Sequence, residues 1–258
     1  MSASAKLAAF DDIVRWRDMY RLEMACQITH DSIHTRPGWS QEYLLYLDGA
    51  VAGYGSVAVA GPWNGKPTVY EFYLAPHQPR LHAFELFEAL LHASGAVAIE
   101  VQSNATLATV MLHTFAREVA SESVLFHDRL TSSLRPSGAT FREPTPAEAP
   151  DVSVHHLRWN GVVEVDGTIA ATGGILFHYN RPYGDIFMEV ADPFRRRGLG
   201  AFIVQELKRV CYEGGHVPAA RCNPANVASR QALQRAGFVP CGHILTGPVA
   251  LPVAAPLR

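Results

Sequence analysis

The chain has 258 residues, of which 48% are hydrophobic and 18% charged, so it is long and apolar enough to bury two modest cores or one large one. Its formal net charge of -2 predicts no broad field that would attract nucleic acid or an anionic membrane. No apolar run approaches the roughly 20 residues of a membrane span, and Asp11 and Asp12 come before any secretory core. The four cysteines form no CxxC pair and are typical of reduced thiols. These features predict a cytoplasmic protein and exclude disorder as a description of the whole chain.

The first half of the chain alternates between strand and helix patterns. In the main helix pattern, apolar residues recur at helical spacing and Gly95 provides a stop. In chain order, the predicted segments are strands at 41–49, 51–61 and 68–76, a helix at 80–95, a strand at 96–101, a helix at 106–119 and a strand at 123–130.

Residues 132–151 are the least globular stretch, because four prolines prevent a continuous helix or a central strand. We therefore predict a linker at 132–151 between domains at 1–131 and 152–258. The order of elements recurs after it, with a hairpin at 161–179, a strand at 183–190, a helix at 198–215, a strand at 217–222 and a helix at 226–237. A tandem of two related domains explains the recurrence, and chance similarity between two strand-helix-strand-helix runs is the alternative. Either interpretation predicts the α/β (α+β) class, with mixed, mostly antiparallel sheets flanked by helices.

The segment 190–201, VADPFRRRGLGA, runs from a strand directly into a helix. Gly198 and Gly200 stand in the first helical turn, where backbone N–H groups lack partners and no side chain covers them. The adjacent basic residues Arg195, Arg196 and Arg197 add charge-assisted donors beside the positive end of the helix dipole. The pattern predicts a site for a phosphate chain, and a tight turn with a solvated basic edge is the alternative.

The pattern Arg195-x-x-Gly198-x-Gly200 resembles the (Gln/Arg)-x-x-Gly-x-(Gly/Ala) acetyl-CoA motif of the GCN5-related N-acetyltransferases (GNATs). In that family the motif follows Val-x-x-Pro, as at 190–193, and precedes an Asn-x-x-(Ala/Ser) helix start and a Gly-Phe pair, as at 226–229 and 237–238. The resemblance covers roughly residues 159–246 and carries three elements in the family's order. The segment RRRGLG does not match the GxGxxG fingerprint of the Rossmann fold, and it lacks the Lys-Ser/Thr pair of a P-loop.

The resemblance implies acetyl-CoA as cosubstrate and a primary amine of a small molecule or peptide as acceptor. Main-chain groups of Met188, Glu189 and Val190 would pair with the pantetheine arm as an added strand, and the N–H of Val190 would face the thioester oxygen. Asn226, with Ser229 behind it, would bind the pantetheine or thioester end. The pyrophosphate would lie, next to Arg195, on the backbone amides of Arg196, Arg197, Gly198, Leu199, Gly200 and Ala201.

The proton-transfer groups depart from the family pattern. Leu233 stands where the family's thiol-protonating Tyr is usual, and the usual base positions are Gly184 and Ile186. We predict Glu189 as the catalytic base, with a structural ion pair as the alternative, provided that the bulge usual in this strand re-aims it. His178 is the second candidate base, with an ordinary surface histidine as its alternative.

The first half differs at the positions that matter most. Arg80 and His82 replace the two glycines, so this half is predicted to be degenerate, to bind no coenzyme A and to help wall the substrate cleft through Glu71, Tyr73 or Trp63. His30 and His34 have helical metal-pair spacing, but Pro37 and Gly38 follow closely. Adjacent His155 and His156 would face opposite sides of a strand, and neither pair predicts a metal site.

The sequence thus predicts an N-acetyltransferase that transfers an acetyl group from acetyl-CoA to a primary amine. A non-catalytic acyl-CoA-binding or scaffolding module is the alternative that Leu233 keeps open, and nucleic-acid binding by the arginine cluster ranks third. No nucleic-acid or membrane partner is expected, and a homodimer is compatible with the sequence. Amino acids, polyamines, antibiotics and protein N-termini all remain open as acceptors.

Overall fold

The computed structural model describes residues 2–148 and 157–250. The end of the predicted linker, the start of the predicted second domain at 152, His155 and His156 lie outside the described residues. The described residues form two compact units: unit 1 contains residues 2–25, 32–122 and 243–250, and unit 2 contains residues 26–31 and 123–242.

The strands and helices confirm the predicted α/β class and lie close to the predicted segments. The structure adds β1, α1, β7 and β12, for which the sequence carried no prediction. The strands are β1 Ala3–Ala8, β2 Ser40–Leu47, β3 Ala50–Ala58, β4 Thr68–Leu74, β5 Ala98–Gln102, β6 Ala120–Asp128, β7 Ala139–Arg142, β8 Leu157–Val165, β9 Thr168–Leu176, β10 Tyr183–Val190, β11 Val217–Cys222 and β12 Phe238–Pro248. The helices are α1 Phe10–Met24, α2 Ala83–Ser94, α3 Thr106–Phe115, α4 Leu199–Glu213 and α5 Val227–Arg235. Within the described ranges, none of these helices is long and apolar enough to cross a membrane.

The sheet of unit 1 has the order β1-β2-β3-β4-β5-β12. Its first four strands are antiparallel, β4 and β5 are parallel, and β12 is antiparallel to β5. Helix α2 buries one apolar face, and Phe87 on that face packs edge-on against Phe72 of β4 with ring centroids 4.9 Å apart. The apolar residues of α2 recur every 3.6 residues and so form one face of the helix, which packs against β4, the strand that precedes it.

The sheet of unit 2 repeats this plan in the order β7-β8-β9-β10-β11-β6. The strands β7 to β10 are antiparallel, β10 and β11 are parallel, and β6 is antiparallel to β11. Helix α4 packs Leu199, Ile203 and Leu207 into the apolar core of the unit. The recurrence seen in the sequence is thus a recurrence of strand order and helix placement.

The last strand of each sheet comes from the other half of the sequence. In unit 1, Ile244–Pro248 of β12 pair with Gln102–Ala98 of β5. In unit 2, Val124–His127 of β6 pair with Cys222–Ala219 of β11. The compact units therefore differ from a cut at 132–151 by the exchange of these strands and by the short segment 26–31.

The predicted linker contains a strand. Residues 139–142 form β7, which pairs with β8, and Arg142 makes ion pairs of 2.9 Å with Glu164 and 2.8 Å with Glu148. Flanking prolines are compatible with an edge strand, because its outer N–H groups need no partner. Four linker residues thus extend the sheet of unit 2.

Candidate functional site

A cleft of unit 2 opens where its two parallel strands diverge. β10 and β11 pair only from Tyr183–Val217 to Asp185–Ala219, whereas β10 continues alongside β9 to Val190. The divergence leaves a cleft of about 310 Å³. Its walls come from β9 and β10, from the end of β11 and from α5; the lining residues are Leu176, Asp185, Ile186, Phe187, Met188, Arg221, Cys222, Asn223, Asn226, Ser229 and Leu233.

The backbone of β10 presents alternate residues to this cleft. Just beyond the strand, the N–H of Ala191 donates to the carbonyl of Ala170 at 3.0 Å. In an antiparallel ladder every second residue directs its main-chain groups to the same neighbour, so Glu189 faces β9 while Met188 and Val190 face the cleft. The Nε of Arg195 donates to the carbonyl of Val190 at 3.2 Å, which agrees with this alternation. Of the three predicted backbone contacts, the one to Glu189 is therefore corrected: its main chain is directed to the sheet.

A glycine turn connects this strand to α4. Gly198 is the N-cap of α4 with φ of +82°, and Arg196 has φ of +62°. A positive φ is far less costly for glycine than for other residues, which explains Gly198 at this position. The first N–H groups of a helix have no intrahelical acceptor, so those of Leu199, Gly200 and Ala201 are available to an anion.

Arginines surround the start of α4. Arg195 pairs with Asp192 at 2.6 Å, and the guanidinium of Arg197 lies 5.5 Å from the ring centre of Phe194. A Cβ placed on Gly198 would lie 4.0 Å from Nη2 of Arg235, which therefore reaches this turn from the end of α5. The sequence reasoning missed Arg235, which only the packing of α5 beside α4 brings here. The turn thus combines open backbone amides with positive charge.

Helix α5 supplies the opposite wall of the cleft. Asn226 caps α5, its Oδ1 accepting from the N–H of Ser229 at 3.0 Å, and both residues line the cleft. Leu233 lines the cleft with 2% exposure and offers no proton. Burial raises the pKa of the Cys222 thiol, which keeps it neutral at physiological pH. This wall can hold a ligand by amide and apolar contacts, and Leu233 cannot donate a proton there.

A cluster of polar groups lies where the two strands meet. Asp185 is 5% exposed, and its Oδ2 lies 2.9 Å from Nε2 of His178 and 3.5 Å from Nε of Arg221. The ring of Tyr179 lies 4.6 Å from that of His178, and burial together with Asp185 raises the pKa of Tyr179. The structure thus brings the predicted His178 together with Asp185 and Arg221. These two residues were missed, because the alternation along β10 indicates which residues share a face of the strand and does not indicate which side chains they contact. An aspartate followed directly by three apolar residues in β10 was the available signal.

Glu189 occupies a different environment. The register between β9 and β10 runs without a shift from Asp185 to Val190, so no bulge re-aims its side chain. Glu189 is exposed and does not line the cleft, and within the described residues no hydrogen bond or ion pair involves its side chain. The condition attached to the prediction of Glu189 as catalytic base, a bulge in this strand, is not met.

The corresponding turn of unit 1 is filled by side chains. Arg80 lies in the short turn before α2, donates from Nε to the carbonyl of Leu74 at 3.2 Å and pairs with Glu23 at 2.6 Å. His82 follows directly before α2, 3.9 Å from Glu85. Side chains therefore stand in unit 1 at the positions where unit 2 has two glycines.

The carboxylate of unit 1 predicted to wall a substrate cleft is enclosed instead. Glu71 is 1% exposed, and its Oε2 lies 3.0 Å from Nε2 of His34 and 2.7 Å from the hydroxyl of Tyr54. Tyr73 is buried as well, and the indole of Trp63 donates to Glu100. Both are thus part of the interior of unit 1, and their role as a wall of the substrate cleft stays a prediction. His34 is used in this interior, and the described part of the chain contains no group of three or more potential metal ligands.

Comparison with known proteins gives a family and a fold. Residues 128–238 match the acetyltransferase (GNAT) family. No curated protein matches the chain significantly. Among solved structures, a GNAT-family acetyltransferase from Colwellia psychrerythraea is 14% identical with a TM-score of 0.74, covering 96% of this chain and 100% of that one.

Two further structures match along the whole length. A GCN5-related N-acetyltransferase from Sphaerobacter thermophilus is 16% identical, with a TM-score of 0.61 over 97% of this chain and 96% of that one. A tandem GNAT protein of the clavulanic acid biosynthesis pathway is 14% identical, with a TM-score of 0.57 over 100% of both chains. At such identities these likenesses show the fold. Together with the match of residues 128–238, the segment that holds the cleft and the glycine turn, to the acetyltransferase (GNAT) family, they support membership of the GNAT superfamily.

Proposed function

We propose that the chain transfers an acetyl group from acetyl-CoA to a primary amine, using one donor site in unit 2. The observation that carries the proposal is the divergence of β10 from β11 between two chemically distinct ends. One end is the amide-rich turn at Gly198, and the other is the cluster of Asp185, His178 and Arg221. The match of residues 128–238 to the acetyltransferase (GNAT) family supports acyl transfer in general.

The donor would lie along β10 as an added strand. Its pyrophosphate would bind the amides of 196–201, and its pantetheine arm would pair with the cleft-facing groups of Val190 and Met188. Val190 lies five positions after Asp185, a span of about 17 Å at the usual strand rise. An extended arm anchored at α4 therefore brings its thioester toward Asp185. We assign the N–H facing the thioester oxygen to Met188, since Val190 is closer to the pyrophosphate.

The acceptor must lose a proton before it attacks. In the transfer, the amine nitrogen forms a bond to the thioester carbon, the carbon–sulfur bond breaks, and the sulfur leaves as a thiolate. His178 would take the amine proton, oriented by its hydrogen bond to Asp185. A thiolate of pKa ~8.5 departs near neutral pH without a donor, so Leu233 does not prevent turnover.

The proposal is tested by time-dependent release of free thiol from acetyl-CoA with a panel of primary amines: a polyamine, a free amino acid and a dipeptide. We expect His178→Ala to lower kcat by roughly 100-fold or more, as for loss of a general base. Glu189→Gln is the matched control on the exposed side of β10 and should retain activity. Equal losses in both variants would contradict the assignment of the base.

The alternative is a module that binds acyl-CoA without transferring the acyl group. The observation that favours it is Leu233, which puts an apolar wall where the family usually has a proton donor. The same assay separates the two functions, because a binding module shows acetyl-CoA affinity by calorimetry and no release of thiol above the uncatalysed rate.

A further inference from the structure

The segment Cys26–Asp31 is built into unit 2 although it comes from the first half of the sequence. Its residues Cys26, Gln27, Ile28 and Thr29 have exposures of 7%, 0%, 2% and 5%. Such complete burial of a short segment without helix or strand requires partners for its backbone groups.

Asn180 provides two of these partners from a single side chain. Its Oδ1 accepts from the N–H of Ile28 at 2.6 Å, and its Nδ2 donates to the carbonyl of Cys26 at 3.2 Å. The side-chain amide therefore pairs with the segment as a neighbouring strand would. Asn180 is itself 4% exposed, so the loss of either bond would leave a buried polar group unpaired.

A second side chain fixes the segment to the sheet. Nε2 of Gln27 donates to the carbonyl of Phe126 in β6 at 2.9 Å. Phe126 pairs with Ala220 of β11, one residue before the cleft-lining Arg221. The segment is therefore held rigidly with respect to the strands that form the cleft.

The loop that carries Asn180 also carries the proposed base. Residues 177–182 connect β9 to β10, and His178 precedes Asn180 by two residues. The strands fix both ends of this loop, and Asn180 fixes its middle to the segment 26–31. We propose that Asn180 is a positioning residue of the acyltransferase site, holding the imidazole of His178 against Asp185 by tying its loop to this segment. The inference rests on the proposed function.

The first test is Asn180→Ala in the full chain. We expect kcat to fall by roughly 10- to 100-fold, because small misplacements of a catalytic group have effects of this size. The KM for acetyl-CoA should be unchanged, since the donor contacts lie elsewhere on β10 and α4. Gln205→Ala is a matched control: Gln205 accepts from the N–H of Leu134 at 2.6 Å and donates to its carbonyl at 3.2 Å, within unit 2 and outside the cleft.

The decisive measurement is a double-mutant cycle with His178→Ala. If Asn180 acts through His178, then Asn180→Ala lowers kcat in the wild type and has no further effect in the His178→Ala background. Equal losses in both backgrounds, or the same loss in Gln205→Ala, would overturn the inference. Should Asn180→Ala fail to fold, Asn180→Asp keeps the acceptor for Ile28 and removes the donor for Cys26, and the same cycle applies. A wild-type chain that binds acetyl-CoA and acetylates no amine of the panel overturns the proposed function, and this inference with it.

Discussion

β4 and β10 hold the same place in their sheets, each parallel to one neighbour and antiparallel to the other, but their carboxylates have opposite environments. The register between β3 and β4 shifts after Ser56, so that Tyr70 becomes an extra residue on the strand. As a result Tyr70 and Glu71 both reach His34, at 3.1 Å and 3.0 Å. The register between β9 and β10 has no such shift, and Glu189 remains exposed.

The enclosed carboxylate of unit 1 requires compensating charges. Burial acts to lower the pKa of His34, but the charge of Glu71 and the hydrogen bonds that His34 donates to Glu42 and Glu71 outweigh it and raise the pKa to about 9. Burial acts to raise the pKa of Glu71, but His34 and Arg17 hold it well below its usual range. Unit 1 therefore uses the bulge to form a closed ionic network, whereas unit 2 leaves the corresponding strand open along a cleft.

The first test of this difference between the units is a variant that fills the glycine turn of unit 2 with a side chain. Gly198→Glu should weaken acetyl-CoA binding by roughly 100-fold or more, because it places a negative charge at the phosphate site and hydrogen bonds to a charged group are each worth about 1.5–3 kcal/mol. Isothermal titration calorimetry measures this loss, together with circular dichroism to verify folding.

Gly200→Ala is the control for that variant. Its Cβ would lie 3.4 Å from Val190 and 3.5 Å from Ala232, both ordinary contacts, so binding should stay within a few fold. Because Arg80 and His82 fill the matching turn of unit 1, the fitted stoichiometry should be one donor per chain. A value near two, or a folded Gly198→Glu variant with normal affinity, would contradict the difference between the units.

The two carboxylates should differ sharply in their effect on stability. Glu71→Gln removes one partner of a buried ionic network and should lower the free energy of unfolding by about 3–5 kcal/mol. Glu189→Gln alters an exposed side chain and should change it by less than about 0.5 kcal/mol. Urea unfolding followed by fluorescence measures both; similar values would show that the burial of Glu71 has no energetic importance.

The ionic network also predicts a pH dependence. The folded-state pKa of His34 is about 9 and its ordinary value is 6.5, so its contribution to stability is fully present below about 6.5 and is lost as the pH rises through about 9. Melting temperatures measured across this window should fall more steeply in the wild type than in His34→Gln. Parallel curves for the two proteins would exclude His34 as the titrating group.

The smallest effect is expected at Leu233. Leu233→Tyr restores the family's usual residue, yet a thiolate of pKa ~8.5 already departs without help, so kcat should change by less than about twofold. An increase of ten-fold or more would show that proton donation limits the reaction and that unit 2 is partly degenerate as well.

The sequence was most informative where function depends on local backbone. The glycine turn at Gly198 is visible in the sequence because its arginines and glycines follow one another within a few residues, at 195–200. The partners of His178 and His34 were not visible, because they come from other strands, and the spacing of His34 to His30 does not indicate them. Likewise 123–130 was predicted as a strand, but local periodicity contains no information about which edge it joins.

The exchange of final strands has a consequence for the order in which the chain is completed during synthesis. Residues 244–248 pair with β5 in the sheet of unit 1, so β5 lacks one neighbour until the strands β6 to β11 have been synthesised. Unpaired strand edges of this kind are where nascent chains associate wrongly. In unit 2, β11 finds both of its neighbours, β6 and β10, already synthesised when it appears. The two equivalent strands therefore differ during synthesis: β11 can pair on both sides at once, whereas β5 must wait for β12.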